Sequence, residues 1–187
     1  MAYKKVISID IDGVLNNYPQ CWIDYVNMYL GRLYQTKNDI KLALTEKLYQ
    51  EIKDEYRNSG YKINLPVDRM AVEIIDTLKY KGYYVIVVTS RPIFNKNYPT
   101  LYNITKQWLC NNKINYDYIY YKYQKEFILD GRFEIHLHID DELEDAIEFA
   151  RRNINVLLYN KYSNCVIGGH FENIFLINDI HEILEYL

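Results

Sequence analysis

Short apolar runs alternate with stretches of helical periodicity along this chain. Residues 4–10 carry Val6-Ile7-Ser8-Ile9 and predict a buried first strand that ends at Asp10. Tyr83 to Val88 is nearly continuous in apolar residues and β-branched in its second half, as suits a strand buried on both faces. Tyr116 to Tyr121 and Glu134 to Ile139 predict a third and a fourth strand. Val156-Leu157-Leu158-Tyr159 predicts a fifth, and Phe175-Leu176-Ile177 a short sixth.

Helical spacing fills the gaps. Asp68 is placed to cap a helix whose inner face is Ala71, Ile74, Ile75 and Leu78, with Gly82 as its stop. Pro99 suits the first turn of a helix over 99–112, with Leu101, Ile104, Trp108 and Leu109 inward. Leu143, Ala146, Ile147 and Ala150 mark a helix over 142–152, and Asn178 or Asp179 caps a last one with Ile180, Ile183 and Leu184. Strands alternating with helices predict a three-layer α/β fold around a parallel sheet.

Residues 16–66 break this rhythm. Trp22, Tyr25, Val26, Tyr29, Leu30 and Leu33 recur at helical spacing over 21–34, and Leu44, Leu48, Ile52 and Tyr56 over 41–58, with no strand-like alternation. The expected organisation is therefore a core of residues 1–15 and 67–187, with residues 16–66 inserted as a small helical cap after the first strand. Packing between the helices accounts for most of the aromatic stripe. Rings such as Trp22, Tyr25, Tyr29 and Tyr34 are the candidates for lining a substrate pocket.

Composition narrows the classes. The 187 residues are enough for one full core. A net charge of -3 and a pI near 5.8 argue against a polynucleotide as partner, because such binders carry a basic surface. No apolar run approaches the roughly 20 residues that span a membrane, and no secretory signal pattern opens the chain. Cys21, Cys110 and Cys165 are scattered and odd in number, so the expectation is a reducing cytoplasm rather than a disulfide framework. The 21 tyrosines accompany many Asn, Ile and Lys residues and read as codon bias.

The candidate chemistry sits at the ends of the apolar runs, where open parallel sheets bind ligands. Asp10 and Asp12 stand two residues apart on one face, roughly 6–7 Å from each other on an extended backbone. Gly13 then allows a sharp turn with no side chain in the way. The second run ends in Thr89-Ser90-Arg91, Lys122 and Lys125 follow the third, and the fourth ends in Asp140-Asp141. Crowded carboxylates repel one another, and a divalent cation with a lysine or arginine relieves the repulsion. Mg²⁺ is the cation that favours such oxygen ligands. A carboxylate can also take a phosphoryl group covalently and so divide one hard step into two.

These motifs, in this order, resemble those of the haloacid dehalogenase (HAD) superfamily of phosphotransferases. The resemblance implies a Rossmann-like core and a Mg²⁺-dependent phosphomonoesterase. It makes Asp10 the nucleophile and Asp12 the general acid/base that separates phosphatases from dehalogenases. Thr89 holds the phosphoryl group, and Lys125, or alternatively Lys122, balances its charge. Asp10, Asp12, Asp140 and Asp141 form the metal set, and Gly13, Ser90 and Arg91 contact substrate. Asp10-Ile11-Asp12-Gly13-Val14-Leu15, Val88-Thr89-Ser90-Arg91-Pro92, Ile104-Thr105-Lys106-Gln107-Trp108-Leu109 and Val156-Leu157-Leu158-Tyr159-Asn160 are similar to the 5'(3')-deoxyribonucleotidase and bacterial nucleotidase group. A small phosphate ester, with a nucleoside monophosphate leading, is the implied substrate. The polynucleotide 3'-phosphatase-like members are the runner-up, and a non-catalytic scaffold is the alternative outside enzymes.

His136-Leu137-His138-Ile139-Asp140-Asp141 also resembles the H-x-H-x-D-H zinc motif of metallo-β-lactamase-fold hydrolases. Its last position is Asp rather than His, and it lies late in the chain. Both imidazoles are expected to pack under a helix and hydrogen-bond there.

Overall fold

The computed structural model describes residues 5–121, 134–161 and 171–187. Lys122, Lys125 and Cys165 lie outside the described residues. The chain divides into two compact units. One comprises residues 1–15, 68–90 and 114–187, and the other residues 16–67 and 91–113.

The first unit is built on a six-stranded sheet in the order β3-β2-β1-β4-β5-β6. Its strands are β1 (Val6–Ile9), β2 (Tyr84–Val88), β3 (Tyr118–Tyr120), β4 (Ile135–Asp140), β5 (Asn155–Tyr159) and β6 (Ile174–Ile177). Every pairing is parallel. Val6, Ile86, Val88, Ile135, Val156 and Leu158 form one buried layer with Ala146, Phe149 and Ala150 of a helix over Leu143–Ala150. Residues that alternate with these, such as Ile7, Ile9, Val85, Val87, Ile139 and Leu157, are equally buried. Both faces of the sheet are thus covered, as parallel strands require.

The helices of both units number in chain order as α1 (Gln20–Leu30), α2 (Lys37–Ala43), α3 (Glu46–Asn58), α4 (Arg69–Tyr80), α5 (Leu101–Asn111) and α6 (Leu143–Ala150). Asp68 caps α4 through the backbone N–H groups of Met70 and Ala71, and its carboxylate pairs with Lys161 at 2.5 Å. The apolar residues at the chain's end form a 3₁₀ helix, Ile180–Tyr186, in place of the expected α-helix.

The second unit holds α1, α2, α3, a 3₁₀ turn at Tyr61–Asn64, and α5. The expected helix over 21–34 stops at Leu30, because Gly31 takes the left-handed conformation (φ 61°) and closes it. The expected helix over 41–58 is two helices. Thr36 and Asp39 form a capping box that starts α2 early, and the Thr45 hydroxyl accepts from the Leu48 N–H to start α3 afresh. Trp22, Tyr25, Val26, Ile40, Ile52 and Tyr56 make this unit's core. The Trp108 indole N–H of α5 donates to the Leu65 carbonyl at 2.9 Å, and the Arg57 guanidinium donates to the Tyr98 hydroxyl at 2.9 Å. Among the described residues, no helix is long and apolar enough to cross a membrane.

Candidate active site

The order of strands creates the site. From β1 the chain steps to β2 and β3 on one side, then returns to β4 on the other. Neighbouring loops therefore diverge between β1 and β4, and a crevice opens beyond their carboxyl ends. Ser8 lies opposite His138 and Ile9 opposite Ile139, so Asp10 comes level with Asp140 one position later. The Asp10 N–H donates to the Ile139 carbonyl at 3.0 Å and locks that register.

Asp10, Asp140 and Asp141 each place a carboxylate oxygen within 4.8 Å of the others. Asp10 and Asp140 are buried, and Asp141 is half-buried. Asp12 stands on the turn after β1, half-buried, and is outside this group of three. Thr89 directly follows β2, buried, with its N–H on the Tyr120 carbonyl at 2.9 Å. Ser90, next to it, is exposed. Arg91 begins the chain's passage into the second unit, where its guanidinium donates to the Thr105 hydroxyl of α5 at 3.1 Å.

Gly13 has a reason beyond the turn. Its φ is +99°, a conformation that L side chains rarely adopt. A Cβ built there would lie 2.0 Å from Oδ2 of Asp141. The Asp141 carboxylate therefore rests directly against the Gly13 backbone. The sequence pattern alone suggested the turn; the contact joins loops far apart in the chain.

A buried polar chain backs the carboxylates. Ser8 Oγ is 2.8 Å from His138 Nδ1, and His138 Nε2 is 3.0 Å from Asp140 Oδ2. The partners are satisfied when Nε2–H donates to Asp140 and the Ser8 hydroxyl donates to Nδ1. The ring stacks on Phe149 at 3.6 Å between centroids, so it does pack under a helix. The second oxygen of Asp140 accepts from the Glu142 N–H at 3.0 Å. Both imidazole nitrogens are thus engaged within the protein. His136 sits where the β1–β4 register slips by one residue, which breaks strict alternation with His138. Burial, followed by the charge of Lys5, pushes its imidazole below the usual histidine range.

This donor set fits a hard divalent cation. It offers oxygens only, on carboxylates held from two adjacent strands. Its mutual repulsion gives a cation something to relieve.

No protein-family profile and no curated protein sequence matches the chain. Solved structures do. A haloacid dehalogenase-like family hydrolase from Streptococcus pneumoniae superposes with a TM-score of 0.69 at 14% identity, over 100% of this chain and 99% of that one. A HAD-hydrolase from Bacillus subtilis, solved bound to magnesium, gives 0.64 at 10% identity over 97% of each chain. The D,D-heptose 1,7-bisphosphate phosphatase from Burkholderia thailandensis gives 0.61 at 16% identity over 98% of each. The likeness is one of fold, and that fold is the one shared by these HAD hydrolases.

Proposed function

We propose that the protein is a Mg²⁺-dependent phosphomonoesterase that works through an aspartyl-phosphate on Asp10. One observation carries this reading. Three carboxylates converge at the carboxyl ends of β1 and β4, the switch point of a sheet shared with phosphatases. A carboxylate oxygen of Asp10 attacks phosphorus, the bond to the leaving oxygen breaks, and Asp12 donates the proton that the leaving oxygen needs. Water then attacks phosphorus, Asp12 takes its proton, and the bond to Asp10 breaks to release phosphate. Asp12's place outside the carboxylate trio suits a group that must carry a proton rather than hold a metal. Asp10, Asp140 and Asp141 hold Mg²⁺, which when bound offsets charge on the phosphoryl oxygens. Thr89, Ser90 and Lys125, or Lys122, complete the phosphoryl contacts.

The leading substrate is a nucleoside monophosphate, on the strength of the sequence motifs. Hydrolysis of a generic aryl phosphate with and without Mg²⁺, followed by a panel of nucleotides, tests the reading. Turnover should require Mg²⁺ and vanish in the near-isosteric Asp10→Asn variant. Undiminished turnover in that variant overturns covalent catalysis by Asp10.

A further inference from the structure

Between α2 and α3, within the second unit, lies a cavity of about 370 Å³. That volume is within the range of small-ligand pockets, roughly 300–1,000 Å³. Its walls bring together Lys37 and Lys41 from α2, Lys53 and Glu46 from α3, and the rings of Tyr18 and Tyr49. Lys37 Nζ stands 5.0 Å from the Tyr18 ring centre, and Lys53 Nζ stands 5.6 Å from that of Tyr49. Two ammonium groups are therefore held over aromatic walls.

Lysines outnumber carboxylates among the described lining residues. Lys37 and Lys41 are four residues apart on one helix, a spacing at which like charges repel. Lys53 faces them from α3. Its ammonium is pushed below the usual lysine range by burial first, then by Arg57, Lys37 and Lys41. Asp54 opposes this and is the weakest influence of all. Its carboxylate is also shared with Gln50 and Asn97. Burial pushes the Tyr49 hydroxyl up, so it stays a neutral O–H donor near neutral pH. The pocket thus holds cations and a hydroxyl donor beside apolar rings, with Glu46 as the one carboxylate among the described residues of its wall. A ligand of negative charge would lessen the repulsion among these ammonium groups. A phosphoryl group carries up to two charges and accepts several charge-assisted hydrogen bonds. The rings give an attached sugar or base an apolar surface.

We infer that the cavity between α2 and α3 binds the phosphoryl group of a small phosphorylated ligand, with Lys37, Lys41 and Lys53 as its cationic walls and Tyr18 and Tyr49 as its aromatic ones. This site lies wholly in the second unit and does not rest on the phosphatase reading.

The test uses the full chain in EDTA, so that Asp10, Asp140 and Asp141 carry no metal and repel anions. Pyrophosphate, AMP and adenosine are titrated by calorimetry. Pyrophosphate and AMP should bind at one site, more weakly as salt rises, and adenosine should not. Lys41→Gln and Lys53→Gln should each weaken binding about tenfold, the order of one charge-assisted hydrogen bond. Lys53→Arg keeps the charge and should restore most of the affinity, which separates a ligand contact from a folding defect. Absence of pyrophosphate and AMP binding, or binding unaffected by both glutamine variants, overturns the inference. So does binding of a single-stranded oligonucleotide without binding of AMP.

Discussion

At the scale of single residues, the geometry sets two tests. Gly13→Ala adds a methyl at a φ of +99° and 2.0 Å from an Asp141 oxygen. The strained backbone alone costs about 1–3 kcal/mol. Removing the Asp141 carboxylate takes away the clash but not the strain. Gly13→Ala should therefore destabilise less in an Asp141→Ala background, with a coupling of about 0.5–3 kcal/mol in urea unfolding. Purely additive effects would place Asp141 elsewhere. The second test concerns His138, which aims one oxygen of Asp140 while Ser8 fixes the ring. His138→Gln should weaken Mg²⁺ binding about 10- to 100-fold by calorimetry, the order seen when a partner behind a metal ligand is lost. Wild-type affinity in a folded variant would show that the ring only fills space. Asp10 and Asp140 were legible because each ends an apolar run. The Gly13–Asp141 contact was not, because nothing local in the sequence records which distant side chain a glycine must admit.

At the scale of elements, α2 and α3 show both what periodicity reveals and what it hides. Leu48, Ile52 and Tyr56 are correctly read as helical, but Leu44 is extended and lies in the break between α2 and α3. Hydrophobic spacing runs through such a break, whereas the capping residues mark it. Thr36→Ala and Thr45→Ala should each cost about 1 kcal/mol, measured by chemical denaturation. Trp22, a candidate for a pocket from sequence, is buried in the aromatic core of the second unit, whereas Tyr25, buried in the same core, also lines a cavity with Tyr61. Half-buried Tyr18 and Tyr49, which the sequence did not single out, line the cavity between α2 and α3. Charge in these helices has a pH signature. Lys53 binds its proton less tightly folded than unfolded, because burial, Arg57, Lys37 and Lys41 outweigh Asp54. The resulting penalty is complete below its lowered pKa and fades as pH rises toward the ordinary lysine value of about 10.4. Lys53→Gln should thus stabilise the protein by a few tenths of a kcal/mol near neutral pH, the size of one like-charge pair. The gain should shrink toward pH ~10. Tyr25, Tyr49 and Tyr61, held protonated by burial, contribute stability that is lost only above that range, in variant and parent alike. A gain that grows with pH would contradict this field.

At the scale of the whole molecule, the sheet order decides what the carboxylates can do. Sequence supplied the strands and their ends, and even their parallel pairing through the intervening helices. It could not supply the return of β4 to the free side of β1, because crossing direction leaves no local pattern. That return brings Asp140 and Asp141 to Asp10. The three carboxylates then come from segments more than a hundred residues apart, and the folded chain is the state that gathers them. An unfolded chain spreads the same groups through water and has little affinity for a divalent ion. Binding to the native state alone stabilises it by RT ln(1 + [L]/Kd), about 2.7 kcal/mol at a hundredfold excess over Kd. Mg²⁺ should therefore raise the melting temperature of the EDTA-treated protein by several degrees, a few for each kcal/mol in a chain of this size. Asp140→Asn should abolish the shift while leaving the sheet intact by circular dichroism. The zinc alternative makes the opposite forecast. A shift produced by Zn²⁺ and not by Mg²⁺, and lost in His136→Ala, would move the metal to the histidines of β4. The engagement of both His138 nitrogens by Ser8 and Asp140 argues for the first outcome.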